Sequence, residues 1–166
     1  AAMGRAAARH RPLEISVRGA GTFGRSSSPR VLYLGIDGRY DHLPHHSIYL
    51  ADDYLKNIHE IDSEHVLSED PSVYVQNACV SDPSLAPHGM STLYILAPVT
   101  HQHANVEWTD ALKMEFRHRV LRQLAKHGLA DLESRIRVEK ILTPDGWAEE
   151  LNIFRGATFN LAHSLD

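Results

Sequence analysis

The alternation of hydrophobic and polar positions divides the chain at Val31. Residues 1–30 are rich in Arg, Gly, Ser and Ala and carry no sustained period. Only LEISV (13–17) reads as a short strand there, and the rest reads as an irregular arm. VLYLGI (31–36) is a continuous apolar run, the pattern of a strand covered on both faces. DGRYDHLPHH follows as a polar loop, its Asp37–Gly38 pair favouring a turn. HSIYL (46–50) predicts a second strand. ADDYLKNIHEI (51–61) predicts a helix, with Tyr54, Leu55, Ile58 and Ile61 as its apolar stripe. Asp52 and Asp53 stand early in it, where the helix dipole favours acids.

SVYVQNA (72–78) alternates, with Val73 and Val75 on one face and Tyr74 and Gln76 on the other. STLYILAPV (91–99) is a fourth strand and the most apolar. The strongest helix spans 109–127, where Trp108, Leu112, Phe116, Val120 and Leu124 step by four, with Ala111 and Leu121 beside them. Thr109 suits its N-cap, and Lys126-His127-Gly128 suits its end. RIRVEKIL (135–142) alternates as a fifth strand. Thr143-Pro144 then opens a short helix over 144–151, and 154–160 forms a turn and exit strand. Strands that follow one another in sequence imply hairpins. The fold class is therefore α+β, a mixed or antiparallel sheet with helices on one face.

Composition narrows the function classes. The chain has 166 residues, 43% hydrophobic and 23% charged, enough for one domain with a real core. A net charge of -4 argues against a general nucleic-acid binder. No apolar run is long enough to span a bilayer, and AAMGRAAARHRP lacks the apolar centre of a secretory signal. Cys79 is the single cysteine, which leaves no intrachain disulfide and no cysteine-built zinc site. A cytoplasmic chain is expected.

The candidate chemistry is spread thinly. GAGTFG (19–24) matches G-x-G-x-x-G, but only RSSSPR separates it from the next strand. That is too short for the helix whose N-terminus must hold a pyrophosphate. His42, His45, His46, His101 and His103 fall in loops, and a His-x-His pair can bind zinc, which keeps a small metal hydrolase as an alternative. No HExxH accompanies them, and no metal ligand is assigned. Cys79, Ser84 and Ser91 lie near His88 without a G-x-S-x-G elbow. Tyr33, Tyr49, Tyr74 and Tyr94 each fall within a strand, and aromatic rings on one sheet face can line an apolar pocket as readily as they can fill a core. The basic helix face of Lys113, Arg117, Arg119, Arg122 and Lys126 reads as solvated, or as a contact for anionic headgroups.

One region resembles a known family. DPSVYVQNACVSDPSLAPHGMSTLYILAPVTH (70–101) is similar to a signature stretch of the bacterial-type phytoene desaturases, the carotenoid desaturase family. VLYLGIDGRYDHLPHHSIYLADDY (31–54), VEWTDALK (106–113) and RIRVEKILTPDGWAEELNIFRGATFNL (135–161) resemble the flanking elements in the same order. The resemblance implies an FAD-dependent oxidoreductase that extends the conjugation of a long polyene. It also implies a peripheral membrane location and a fold like that of the amine-oxidase-type flavoproteins.

The chain departs from that family in two places. The strand–GxGxxG–helix opening and the closing Gly-rich flavin segment have no counterpart, and residues 1–30 do not resemble the family. Residues 31–166 are thus expected to be the substrate-domain portion, with no flavin-binding and no catalytic residue to assign. The expected wall of an apolar tunnel is Tyr33, Tyr49, Tyr74, Gln76, Tyr94 and Leu96. The alternative is a stand-alone isoprenoid- or lipid-binding domain.

Overall fold

The computed structural model describes residues 28–158. LEISV and GAGTFG lie outside them, as does the end of the expected exit strand. The five strands are β1 (Ser28–Asp37), β2 (His46–Tyr49), β3 (Val73–Gln76), β4 (Met90–Val99) and β5 (Ile136–Leu142). They form one sheet in the order β2-β3-β4-β1-β5, and each neighbouring pair is antiparallel. The helices are α1 (Tyr54–His59), α2 (Asp110–Ala125), α3 (Leu132–Arg135) and α4 (Pro144–Leu151). β1 begins at Ser28, inside the expected N-terminal arm.

β1 and β4 pair over ten residues, from Ser28↔Val99 to Asp37↔Met90. Their alternation puts Leu32, Leu34 and Ile36 beside Leu93, Ile95 and Ala97 on one face. α2 covers that face with the stripe foreseen from its period: Phe116, Val120 and Leu124 are fully buried, and Trp108 nearly so. Each large aliphatic side chain placed there contributes about 2 kcal/mol relative to leaving it in water. Thr109 caps α2, its hydroxyl accepting from the Leu112 amide at 3.2 Å. α4 closes the end of the sheet instead of lying on the α2 face. Trp147 Nε1 donates to the Pro29 carbonyl at 2.9 Å, and Lys140 pairs with Glu150.

The basic face of α2 is divided: Arg117 and Arg119 are buried, whereas Arg122 and Lys126 stay exposed as their pattern suggests. Arg117 is buried and donates through Nε to both Glu139 oxygens at 2.8 and 2.9 Å, and through Nη1 to Glu133 at 2.6 Å. Arg119 holds the preceding loop by donating to the carbonyls of Leu67 and Ser68, and pairs with Glu69. Lys113 pairs with Asp145, Arg122 with Glu69, and Lys126 with Asp52 and Asp70. Carboxylates from other elements thus meet each of these cations.

α1 departs more sharply from its pattern. Leu55 is 79% exposed, Tyr54 and Ile58 are exposed too, and only Ile61 of the expected stripe is buried. The inward residue is Asn57, whose side-chain oxygen accepts from the buried Ser72 amide at 3.1 Å. A buried backbone donor must be satisfied, and that need sets the rotation of the helix.

Two stability measurements follow. Arg117→Ala leaves Glu139 facing a protein interior without its cation and lowers unfolding free energy by about 2–3 kcal/mol in urea titration. Leu55→Ser changes it by less than about 0.5 kcal/mol, whereas Asn57→Leu lowers it by about 1–2 kcal/mol. The reverse order would place the apolar stripe of α1 inward.

Candidate functional site

The face of the sheet opposite α2 is open along most of its width. Odd positions of β1 and even positions of β4 and β3 project from it. Tyr33 and Tyr94 are direct partners across β1 and β4, and their rings meet edge-on at 5.3 Å. Tyr74 reaches the other side of Tyr94 at 6.1 Å, also edge-on. Gln76 pairs with Tyr94, and Leu96 pairs with Tyr74. Five of the six residues expected in a wall therefore share this face. Tyr49 does not: it pairs with Val73, points to the α2 side, and stacks on His127 at 4.5 Å.

Beside the tyrosines lies Gly35, between Thr92 of β4 and Val138 of β5. Its missing side chain lowers the floor there. The result is a trough of about 400 Å3 whose lining includes Tyr33, Gly35, Gln76, Thr92, Tyr94 and Val138. It runs across the strands and is largely apolar. Burial holds the Tyr94 hydroxyl above the ordinary phenol range, and the neighbouring Tyr33 and Tyr74 phenols add to the shift. Tyr94 thus stays neutral throughout the physiological range.

Polar groups gather at the β2–β3 end. His46 Nδ1 and the Tyr74 hydroxyl are 2.7 Å apart. His45 joins Ser81 through Nδ1 at 2.7 Å and the Gln76 amide through Nε2 at 3.2 Å. The loop carrying His45 is tied down from behind. The buried Asn77 side chain donates to the Tyr40 carbonyl at 3.0 Å, and its backbone amide donates to the His45 carbonyl at 2.8 Å.

The other sequence candidates are kept apart. His101 and His103 lie away from His45 and His46, and gather with His65, whose ring stacks on His103 at 4.3 Å. His65 had no motif to announce it, because a left-handed backbone after a π-turn carries it there. Among the described residues no group of three His, Cys, Asp or Glu is placed to hold a metal ion. Cys79 and Ser91 are buried, and Ser84 donates to Asp82, so they form no catalytic set with the exposed His88.

Comparison with known proteins adds to this geometry. No family model matches the chain. It is 45% identical over 141 residues to a 4,4'-diapophytoene desaturase (4,4'-diapolycopene-forming) of Methylomonas sp. It is 40% identical over 140 residues to an all-trans-zeta-carotene desaturase of Myxococcus xanthus, and 36% over 138 residues to a lycopene-forming phytoene desaturase of Pantoea ananas. The chain is a relative of the carotenoid desaturases. These matches take in 82–84% of the chain but only 26–28% of each desaturase, so it spans about a quarter of their length. Among the described residues no helix is long and apolar enough to cross a membrane.

The tyrosine cluster is open to a direct check. In a near-ultraviolet titration, the difference between the native chain and Tyr94→Phe should give a phenol with a midpoint above 10.0, the ordinary value. A midpoint at or below it would mean that Tyr94 is not enclosed by its neighbours.

Proposed function

We propose that this chain supplies one wall of the polyene-binding tunnel of an FAD-dependent carotenoid desaturase. The open tyrosine-lined sheet face is the observation that carries the reading. A conjugated hydrocarbon has no hydrogen-bonding groups along its length, so its recognition needs flat, dry contact. Tyr33, Tyr74 and Tyr94 offer ring faces and edges for it, Leu96 adds apolar surface, and Gly35 leaves room for the chain of the ligand. The desaturase names of its relatives, each of a carotenoid-forming enzyme, support the same substrate class.

In such an enzyme the other wall comes from elsewhere in the polypeptide, in a fold like the substrate domain of amine-oxidase-type flavoproteins. The protein would work peripherally on a membrane, where its substrate dissolves. FAD supplies the oxidation when bound. The described residues do not fit it: β1 runs into the Asp37–Gly38 turn and on to β2, where a dinucleotide site needs a helix opening onto the phosphates. These side chains bind and orient the polyene and exclude water from it, and they carry no redox step.

The test is polyene binding by the chain, followed by the induced circular dichroism of lycopene delivered in detergent micelles. Gly35→Leu fills the trough without backbone strain, since a Cβ there meets Val138 at 3.6 Å, an ordinary contact. It should weaken binding about tenfold. Leu55→Ser, on α1, should leave binding unchanged. Undiminished binding by Gly35→Leu would move the ligand off this face.

A further inference from the structure

The trough has two unlike ends. At β3 its lining stops at Gln76 and Ala78, and among the described residues none of β2 takes part in it. Ala78 opens a tight helical turn, Ala78–Val80, so the strand does not continue past it. That turn is fastened at several points. The Thr92 amide meets the Cys79 sulfur at 3.4 Å, Arg39 donates to the Cys79 carbonyl at 3.1 Å, and Ser81 is joined to His45 at 2.7 Å. Asn77, just before it, donates its backbone amide to the His45 carbonyl at 2.8 Å. A turn held both to β4 and to the loop before β2 yields little to a ligand that presses on it.

At β5 the trough runs out over an edge. β5 is the last strand of the sheet among the described residues, and Val138 stands 69% exposed on it. Gly35 beside Val138 keeps the floor low as far as that edge. Lys140 lines the same end, but its ammonium is held by Glu150 of α4 at 3.2 Å. The apolar way out therefore passes over Val138.

From β3 to β5 is three strand spacings, about 14 Å. An extended carotenoid is much longer than that, and a conjugated chain is too stiff to coil into the difference. It must overhang the trough, and the β5 end is the one that lets it. We infer that the trough takes the polyene terminus first: one chain end seats against Ala78, and the rest leaves across Val138. This rests on the polyene reading of the open face. It makes Ala78 the stop that sets how far a terminus enters, because its single methyl group leaves the closed end its depth.

The experiment uses lycopene carrying carbon-13 in its terminal methyl groups, bound to the full chain in the same micelles and followed by NMR. Ala78 should receive magnetisation from the terminal methyl groups, and Val138 from protons in the interior of the polyene. Ala78→Leu fills the closed end, so it should weaken binding about fivefold and move the terminal-methyl contacts to Thr92 and Gly35. Far-ultraviolet circular dichroism checks the sheet of that variant, and the contacts in the native chain decide the matter without it. Terminal methyl groups at Val138 with interior protons at Ala78, or affinity and contacts untouched by Ala78→Leu, would overturn the inference and leave the polyene wall standing. No transfer from lycopene to Tyr33, Gly35 or Tyr94 would remove the wall and this inference together.

Discussion

The pairing of β1 with β4 is the constraint from which the rest follows. Ten consecutive residues on each strand are held in one register. Because side chains alternate with a period of two, this register decides which residues go under α2 and which face outward. A slip of one position would turn Tyr33 or Tyr94 into the core and drive Leu34 or Leu93 onto the surface. Burial of the aliphatic set on one face therefore fixes the tyrosine set on the other. The site is a by-product of the core's own register, not a separate construction.

The margins of the sheet are held by polar devices. Arg117 ties α2 to β5 and to α3 through Glu139 and Glu133, and Arg119 ties α2 to the loop before β3. Burial alone would disfavour the Arg117 cation, but the two carboxylates beside it outweigh that and hold its pKa above the ordinary value. Two buried amides do similar work for backbone. Asn57 accepts from Ser72, and Asn77 donates to Tyr40. The second of these positions the histidine loop that borders the trough. Stability and site geometry are thus linked through Asn77.

Where local period and tertiary demand agreed, the sequence could be read. α2, its Thr109 cap and the strands at 72–77 and 91–97 are legible because apolar spacing and burial coincide, whereas VLYLGI, whose apolar run reads as covered on both faces, leaves Tyr33 exposed on one. Tyr33, Tyr74, Gln76, Tyr94 and Leu96 share a face as their alternation allows. Tyr49 was misplaced because β2 takes its facing from its register with β3, and nothing local to HSIYL sets that register. The stripe of α1 misled because the Ser72 amide needed Asn57 more than the core needed Leu55. Arg117 and Arg119 looked solvated because their partners, Glu139 and Glu69 among them, come from distant segments. His65 was missed for the same reason: its neighbours His101 and His103 are close only in the fold.

A sheet with one face committed to its core and the other lined by aromatic rings suits a long apolar ligand lying across the strands. Its likeness to about a quarter of several carotenoid desaturases agrees with that use. The most direct measurement is magnetisation transfer by NMR from the protons of a bound, carbon-13-labelled polyene to the amide and ring protons of the chain. The account predicts transfer to Tyr33, Gly35, Thr92 and Tyr94, with none to Phe116, Val120 or Leu124 beneath the opposite face. Transfer to the α2 side, or to the exposed face of α1 with the tyrosines silent, would contradict it.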